Sequence, residues 1–140
     1  MRRLTGSVVL VLSLAVSATG CDPKTTTTPT LPTVPSVPVT ESFTGTLTVN
    51  GAVTFAFLVK ESGYAQATLK TFSPDTALNV GLALGTWNGI TCQVILANDL
   101  ASQAITVTGA VASAAALCVR IYDVGQLTRP NTFEITVVHP

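Results

Sequence analysis

From Glu41 to Pro140 apolar side chains recur at every second position in short runs, and each run stops at glycine, proline, asparagine or aspartate. A period of two sends alternate side chains to opposite faces of an extended strand, so the pattern demands half-buried β-structure rather than amphipathic helix. In the first run Phe43, Gly45, Leu47 and Val49 share one face, with Ser42, Thr44, Thr46 and Thr48 on the other. Asn50-Gly51 follows, a pair preferred in two-residue hairpin turns because both central positions need positive φ. The second run, Ala52 to Lys60, is therefore expected to fold back on the first and to bury Val53, Phe55, Phe57 and Val59. Glu61, Ser62 and Gly63 then turn the chain into a third run bearing Ala65, Ala67 and Leu69, which extends the hairpin to a meander.

Phe72, Ser73, Pro74 and Asp75 interrupt the pattern with turn chemistry, and Leu78, Val80, Leu82 and Leu84 resume it. The next turn, Gly85 to Gly89, carries the single tryptophan, Trp87. Further strands are expected over Thr91 to Ala97, Ala104 to Val111, Leu117 to Tyr122 and Thr132 to Val138. Alanine-rich Ala110 to Leu117 could form a turn or two of helix, but so short a helix is marginal, and strand ends around a connection are expected there. Eight short strands about a dozen residues apart, separated by turn residues, predict an all-β fold, an eight-stranded antiparallel jelly-roll-like β-sandwich over residues 41–140. One domain of a hundred residues has room for one core.

Ahead of this domain the chain changes character twice. Arg2 and Arg3 precede an apolar run from Leu4 to Val16, which is too short for an ordinary membrane-spanning helix, and small residues follow up to Cys21. This order, closing on Ala18-Thr19-Gly20-Cys21, resembles the signal peptide and lipobox of bacterial lipoproteins. The resemblance implies that residues 1–20 are removed and that Cys21 carries diacylglycerol and a further acyl group such as palmitate. The partner is then a membrane of the bacterial cell envelope. Residues 21–40 follow as a Pro/Thr-rich linker with Pro29, Pro32, Pro35 and Pro38 three apart, the period of a polyproline II helix. Such a segment buries too little to pack and is expected to be a disordered stalk, whose eighteen residues from Pro23 to Thr40 reach at most about 55 Å at about 3.1 Å per residue. O-linked sugar on its threonines, or use of its proline edge as a ligand, are the competing readings.

The spacing of Phe55 and Phe57, then Gly63, Ala65, Ala67 and Leu69, then Leu78, Val80 and Leu82, resembles the bacterial pre-peptidase C-terminal domain. Leu117 to Gly125 followed by Thr132 to Val137 is similar to the last two strands of that family, although Ala115-Ala116-Leu117 replaces the family's usual Gly-x-Tyr. The resemblance implies a jelly-roll-like sandwich appended to exported proteins. Some members bind collagen or polysaccharide, and the module has no catalytic residues to transfer.

The side chains that could do chemistry are few. With Cys21 assigned to lipid, Cys92 and Cys118 remain as a pair in separate strands, and export favours their oxidation to a disulfide; a two-cysteine metal site lacks further ligands. Cys92 is placed on the inward face with Val94 and Leu96, whereas Cys118 shares a face with Arg120 and Tyr122, so one of the two should lie at a strand end or beside a bulge. The one histidine, His139, is expected to be solvated at the chain end, which leaves no base for a catalytic triad. Asp75, Asp99 and Asp123 fall near turns, where aspartate bonds local backbone; calcium held by a pair of them is the alternative. No metal or cofactor is expected. Without Arg2 and Arg3, five basic side chains face seven acidic ones, a net charge of −2 that offers no field for nucleic acid.

Aromatic groups are the better candidates for recognition. Trp87 on a loop tip could stack on a sugar ring or anchor a protein, or fold back as a lid on the core, and Tyr64 and Tyr122 stand on the polar sides of their strands. Two functions follow: a noncatalytic module binding polysaccharide or protein, or an accessory subunit of an envelope complex. Replacing the anchor residue, Cys21→Ser, is expected to move the protein from the membrane to the soluble fraction, with loss of the fatty-acid mass from its N-terminal peptide.

Overall fold

The computed structural model describes residues 37–140, so the expected signal peptide, Cys21 and nearly all of the expected stalk lie outside the described residues. The described chain forms β1 (Val39–Leu47), β2 (Ala52–Val59), β3 (Gly63–Ser73), β4 (Val80–Trp87), β5 (Cys92–Ala101), β6 (Thr106–Val111), β7 (Ala115–Tyr122) and β8 (Asn131–His139). Val39 and Thr40, assigned above to the stalk, belong to β1 because they pair with His139 and Val138.

Two antiparallel sheets result, one in the order β1-β8-β3-β6 and the other β2-β7-β4-β5. First strand pairs with last, second with seventh, third with sixth and fourth with fifth. This nesting arises when one long hairpin, with β4 and β5 at its tip, is wound so that successive pairs fall in opposite sheets. It is the jelly roll.

The expected meander does not form. β1 and β2 lie in different sheets, and the chain crosses back again from β2 to β3. At Asn50-Gly51 the Gly51 amide donates to the Thr48 carbonyl at 2.9 Å, and Asn50 alone has positive φ, 55°. This bond makes Val49 and Asn50 the central residues, and with positive φ at the second alone the turn is neither primed form, since type I′ needs both and type II′ the first; the corner redirects the chain instead of reversing it. Asp123, just past β7, clasps the corner: its Oδ2 accepts from the Asn50 amide at 2.8 Å and its own amide donates to the Gly51 carbonyl at 2.9 Å. Among the described strands only β4 and β5 form a sequential hairpin, turned through Asn88, whose Oδ1 accepts from the amides of Ile90 and Thr91 at 2.9 and 2.8 Å.

Inward faces carry the core. Leu47, Leu69, Leu82, Ile121 and Ile135 are fully buried between the sheets. Phe72 joins them, against the expectation of a turn, because a bulge between Leu69 and Thr71 resets the alternation and brings it to the inner face. Along the β1 and β2 side the sheets are held by rings: Phe43 stacks on Phe55 at 5.0 Å between centroids, and Phe55 meets Phe133 edge-on at 6.2 Å. His139 is buried rather than solvated, at 3% exposure, since it continues the inward series Phe133, Ile135, Val137. Its Nε2 lies 3.0 Å from Glu41 Oε1, and the Phe57 ring covers it at 5.3 Å.

Asp123 also accepts, through Oδ1, from the amides of Gly125, Gln126 and Leu127 at 2.9, 2.9 and 3.1 Å. Burial pushes its carboxyl up, but these backbone donors outweigh burial and hold it below the ordinary 3.8. A depressed carboxyl stabilises the fold above the unfolded value and loses that contribution as pH falls through the folded one. Asp123→Ala is expected to lower stability at neutral pH by about 2 kcal/mol, with Asp123→Asn losing less because an acceptor remains. Melting curves of wild type and Asp123→Ala should approach one another as the pH falls below the ordinary carboxylate range and through the lowered value of Asp123.

Candidate functional site

The outer face of the second sheet collects most of the side chains singled out from sequence. Because residues opposite one another in a ladder share a face, the pairing Gly81↔Tyr122, Ala83↔Arg120 and Gly85↔Cys118 places Tyr122, Arg120 and Cys118 along one line on β7. On β4 the same face continues to Trp87, and on β2 it carries Ala52, Thr54, Ala56 and Leu58. Trp87 and Tyr122 thus stand toward opposite ends of one small-residue strip. At about 3.3 Å per residue the six steps from Gly81 to Trp87 span about 20 Å.

Trp87 is not on a loop tip. It is the last residue of β4, paired with Cys92, half-buried and on the face turned away from the inter-sheet core. Tyr64 lies elsewhere: it is 66% exposed on the outer face of the first sheet, opposite Ala110 of β6. The structure therefore joins two of the three aromatic candidates and separates the third.

At the Tyr122 end the chemistry is polar. The Tyr122 ring lies over Gly81, where any Cβ would collide with it. Its hydroxyl donates to Asp99 Oδ1, and this bond, followed by burial, raises the phenol above its ordinary value. The Arg120 guanidinium stands 5.7 Å from the same ring's centroid, a cation–π arrangement, and its Nε is buried without a hydrogen-bond partner. Val94, Arg120 and Tyr122 line a shallow depression of about 320 Å³ here. Arg120 was missed as a candidate, and Asp99 was considered only as a turn residue or calcium ligand; only the ladder shows that Asp99, on β5, faces a tyrosine on β7.

At the centre of the face Cys92 and Cys118 are joined, with Cα atoms 5.8 Å apart. Their strands are not neighbours, since β4 runs between β5 and β7. Gly85 makes the bridge possible: with no side chain, it lets the β5 backbone at Gln93 close over the outer side of β4, where a Cβ would strike the Gln93 carbonyl. Cys92 is therefore outward, not inward as its alternation with Leu96 suggested. Ile95 is the extra residue of a bulge between Leu84↔Leu96 and Gly85↔Val94, so Val94 faces out while Leu96 faces in.

The three aspartates, a pair of which was the alternative reading for calcium, each have a separate partner. Arg129 grips Asp75 through both nitrogens, Nε to Oδ2 at 2.9 Å, and holds its carboxyl below the ordinary range. Tyr122 takes Asp99, and backbone amides take Asp123. Among the described residues no three His, Cys, Asp or Glu side chains come together as a metal site would require.

No protein-family model matches the chain, and no curated protein is similar to it in sequence. Unreduced protein is expected to show no titratable thiol at Cys92 or Cys118, and reduction should destabilise the domain by about 3 kcal/mol for a loop of this length. Gly85→Ala should leave both thiols free by forcing β5 off the face.

Proposed function

We propose that this protein is a lipid-anchored, extracytoplasmic lipoprotein of the bacterial envelope whose domain is a noncatalytic binding module for polysaccharide, engaged through the outer face of the second sheet. The observation that carries this reading is the common placement of Trp87 and Tyr122 on one face of one sheet, with Arg120 and Asp99 beside the tyrosine. Aromatic faces stack on the apolar faces of sugar rings, while a guanidinium and a carboxylate satisfy hydroxyl groups that stacking leaves exposed. A chain about 20 Å long can touch both ends at once, and two weak contacts on one ligand multiply.

Other features support the same reading. The sequence pattern at Ala18 to Cys21 resembles a lipobox, and a disulfide suits an oxidising compartment. The jelly-roll architecture is the one implied by the resemblance to the pre-peptidase C-terminal domain, a family with polysaccharide-binding members. The one imidazole, His139, is buried on the inner face of the first sheet and cannot serve as a base at this face.

A glycan array probed with the purified lipoprotein tests the reading. Binding should fall at least about tenfold in Trp87→Ala and in Tyr122→Ala, with Tyr64→Ala unchanged. Equal binding by all four proteins, or none by the wild type to any bacterial or plant polysaccharide, would remove the proposal.

A further inference from the structure

Five of the ten exposed large apolar side chains of the described chain fall on β5 and the turn before it. Ile90, Leu100 and Ile95 are 83%, 69% and 68% exposed, and Val94 and Leu96 follow at 44% and 40%. β5 is an outer strand, open on the side away from β4. Strands in that position ordinarily carry lysine, proline or another charge that deters contact. β5 has no lysine, arginine or proline, and its one charged residue, Asp99, is turned to Tyr122.

The apolar side chains project for a definite reason. β5 is bulged twice against β4, once at Ile95 and once over Asp99 and Leu100, and each bulge pushes an extra residue out of the ladder. A twice-bulged strand is a poor template for adding another strand. It offers side chains instead of a straight row of amides and carbonyls.

Beside this edge the two sheets part. A cleft of about 250 Å³ opens between β5 and β6, walled by Leu84, Leu96 and Leu117 on one side and Ala65, Gly109 and Val111 on the other, and no charged residue lines it. It is smaller than the about 300–1,000 Å³ of pockets for drug-sized ligands, and it suits a slender hydrocarbon.

We infer that the β5 edge seats the domain on the bilayer, its aliphatic side chains entering the interface of an uncharged lipid surface while the cleft takes up one acyl chain of a membrane phospholipid. The inference rests on the lipid-anchor reading, because a Cys21 anchor and a stalk reaching at most about 55 Å keep the domain within range of the membrane. Charge selects the surface: an anionic bilayer is recognised by clustered lysine and arginine, and β5 supplies none.

The test uses the full lipoprotein, carrying its own acyl groups, in phosphatidylcholine vesicles doped with a phosphatidylcholine bearing a diazirine in its acyl chain. After photolysis, adducts are expected on peptides covering residues 90–101 and 109–115 as well as on the Cys21 peptide. Ile95→Asp combined with Leu100→Asp should reduce the domain adducts about tenfold, with the melting temperature and the Cys21 adduct unchanged. Adducts confined to the Cys21 peptide, or spread evenly over both edges of the sandwich, overturn the inference while leaving the anchor standing. A dimer that the double variant dissociates, with no lipid on β5, overturns it in favour of a second copy. If mass analysis finds no lipid on Cys21, the anchor reading fails separately, and adducts on residues 90–101 from the added vesicles still decide the edge.

Discussion

The ladder between β1 and β8 joins the two ends of the domain, nine residue pairs from Val39↔His139 to Leu47↔Asn131. β8 lies between β1 and β3, so it supplies backbone partners on both sides and three inward side chains, Phe133, Ile135 and Val137, to the core. None of these bonds can form until almost the whole domain has been gathered. The closing entropy of so long a loop grows only slowly with its length, but the contacts that offset it come late. The structure therefore depends on a pairing that no local stretch favours, and neither end can be trimmed without opening the first sheet.

Winding the chain this way makes six of its seven connections cross between sheets. Crossing segments cannot meet their amides in a ladder, and side chains take over. Asp123 does so for the β1–β2 and β7–β8 corners at once, accepting from Asn50 on one oxygen and from Gly125, Gln126 and Leu127 on the other. Asp75 holds the β3–β4 segment to Arg129 before β8, and the buried Asn131 amide reaches the same carboxylate at 3.2 Å. Among the described residues five of the ten charged side chains, Lys60, Glu61, Asp75, Asp123 and Arg129, lie in connections between strands.

The two long sides of the sandwich differ in kind. Phenylalanines from both sheets interlock along β1 and β2, whereas β5 and β6 face each other across alanine, glycine and aliphatic side chains too small to close the gap. One side is sealed and the other is left with a cleft and an apolar rim. The same economy of side chains flattens the outer face of the second sheet, where Gly81 and Gly85 let a tyrosine ring and a neighbouring strand lie directly on β4.

Strand existence, number and inward residues were legible because period-two alternation records burial directly: Phe43, Phe55, Leu69, Leu82 and Ile135 all fall on the predicted inner faces. Even His139 was legible, as the next member of the series Phe133, Ile135, Val137, had alternation been weighed above its position near the chain end. The bulges were not, since an extra residue leaves no mark in composition, and they reversed the expected places of Phe72 and Cys92. Partner choice was not legible either: Asn50-Gly51 favours a turn but does not say which sheet receives the next strand. By itself the sequence determined an all-β chain with defined inner faces, because alternation is a local consequence of extended backbone. Only the tertiary structure decided that Trp87 and Tyr122 share a face, that Tyr64 does not, and that Cys92 reaches Cys118 over Gly85, because those relations depend on which distant strands complete one another's hydrogen bonds.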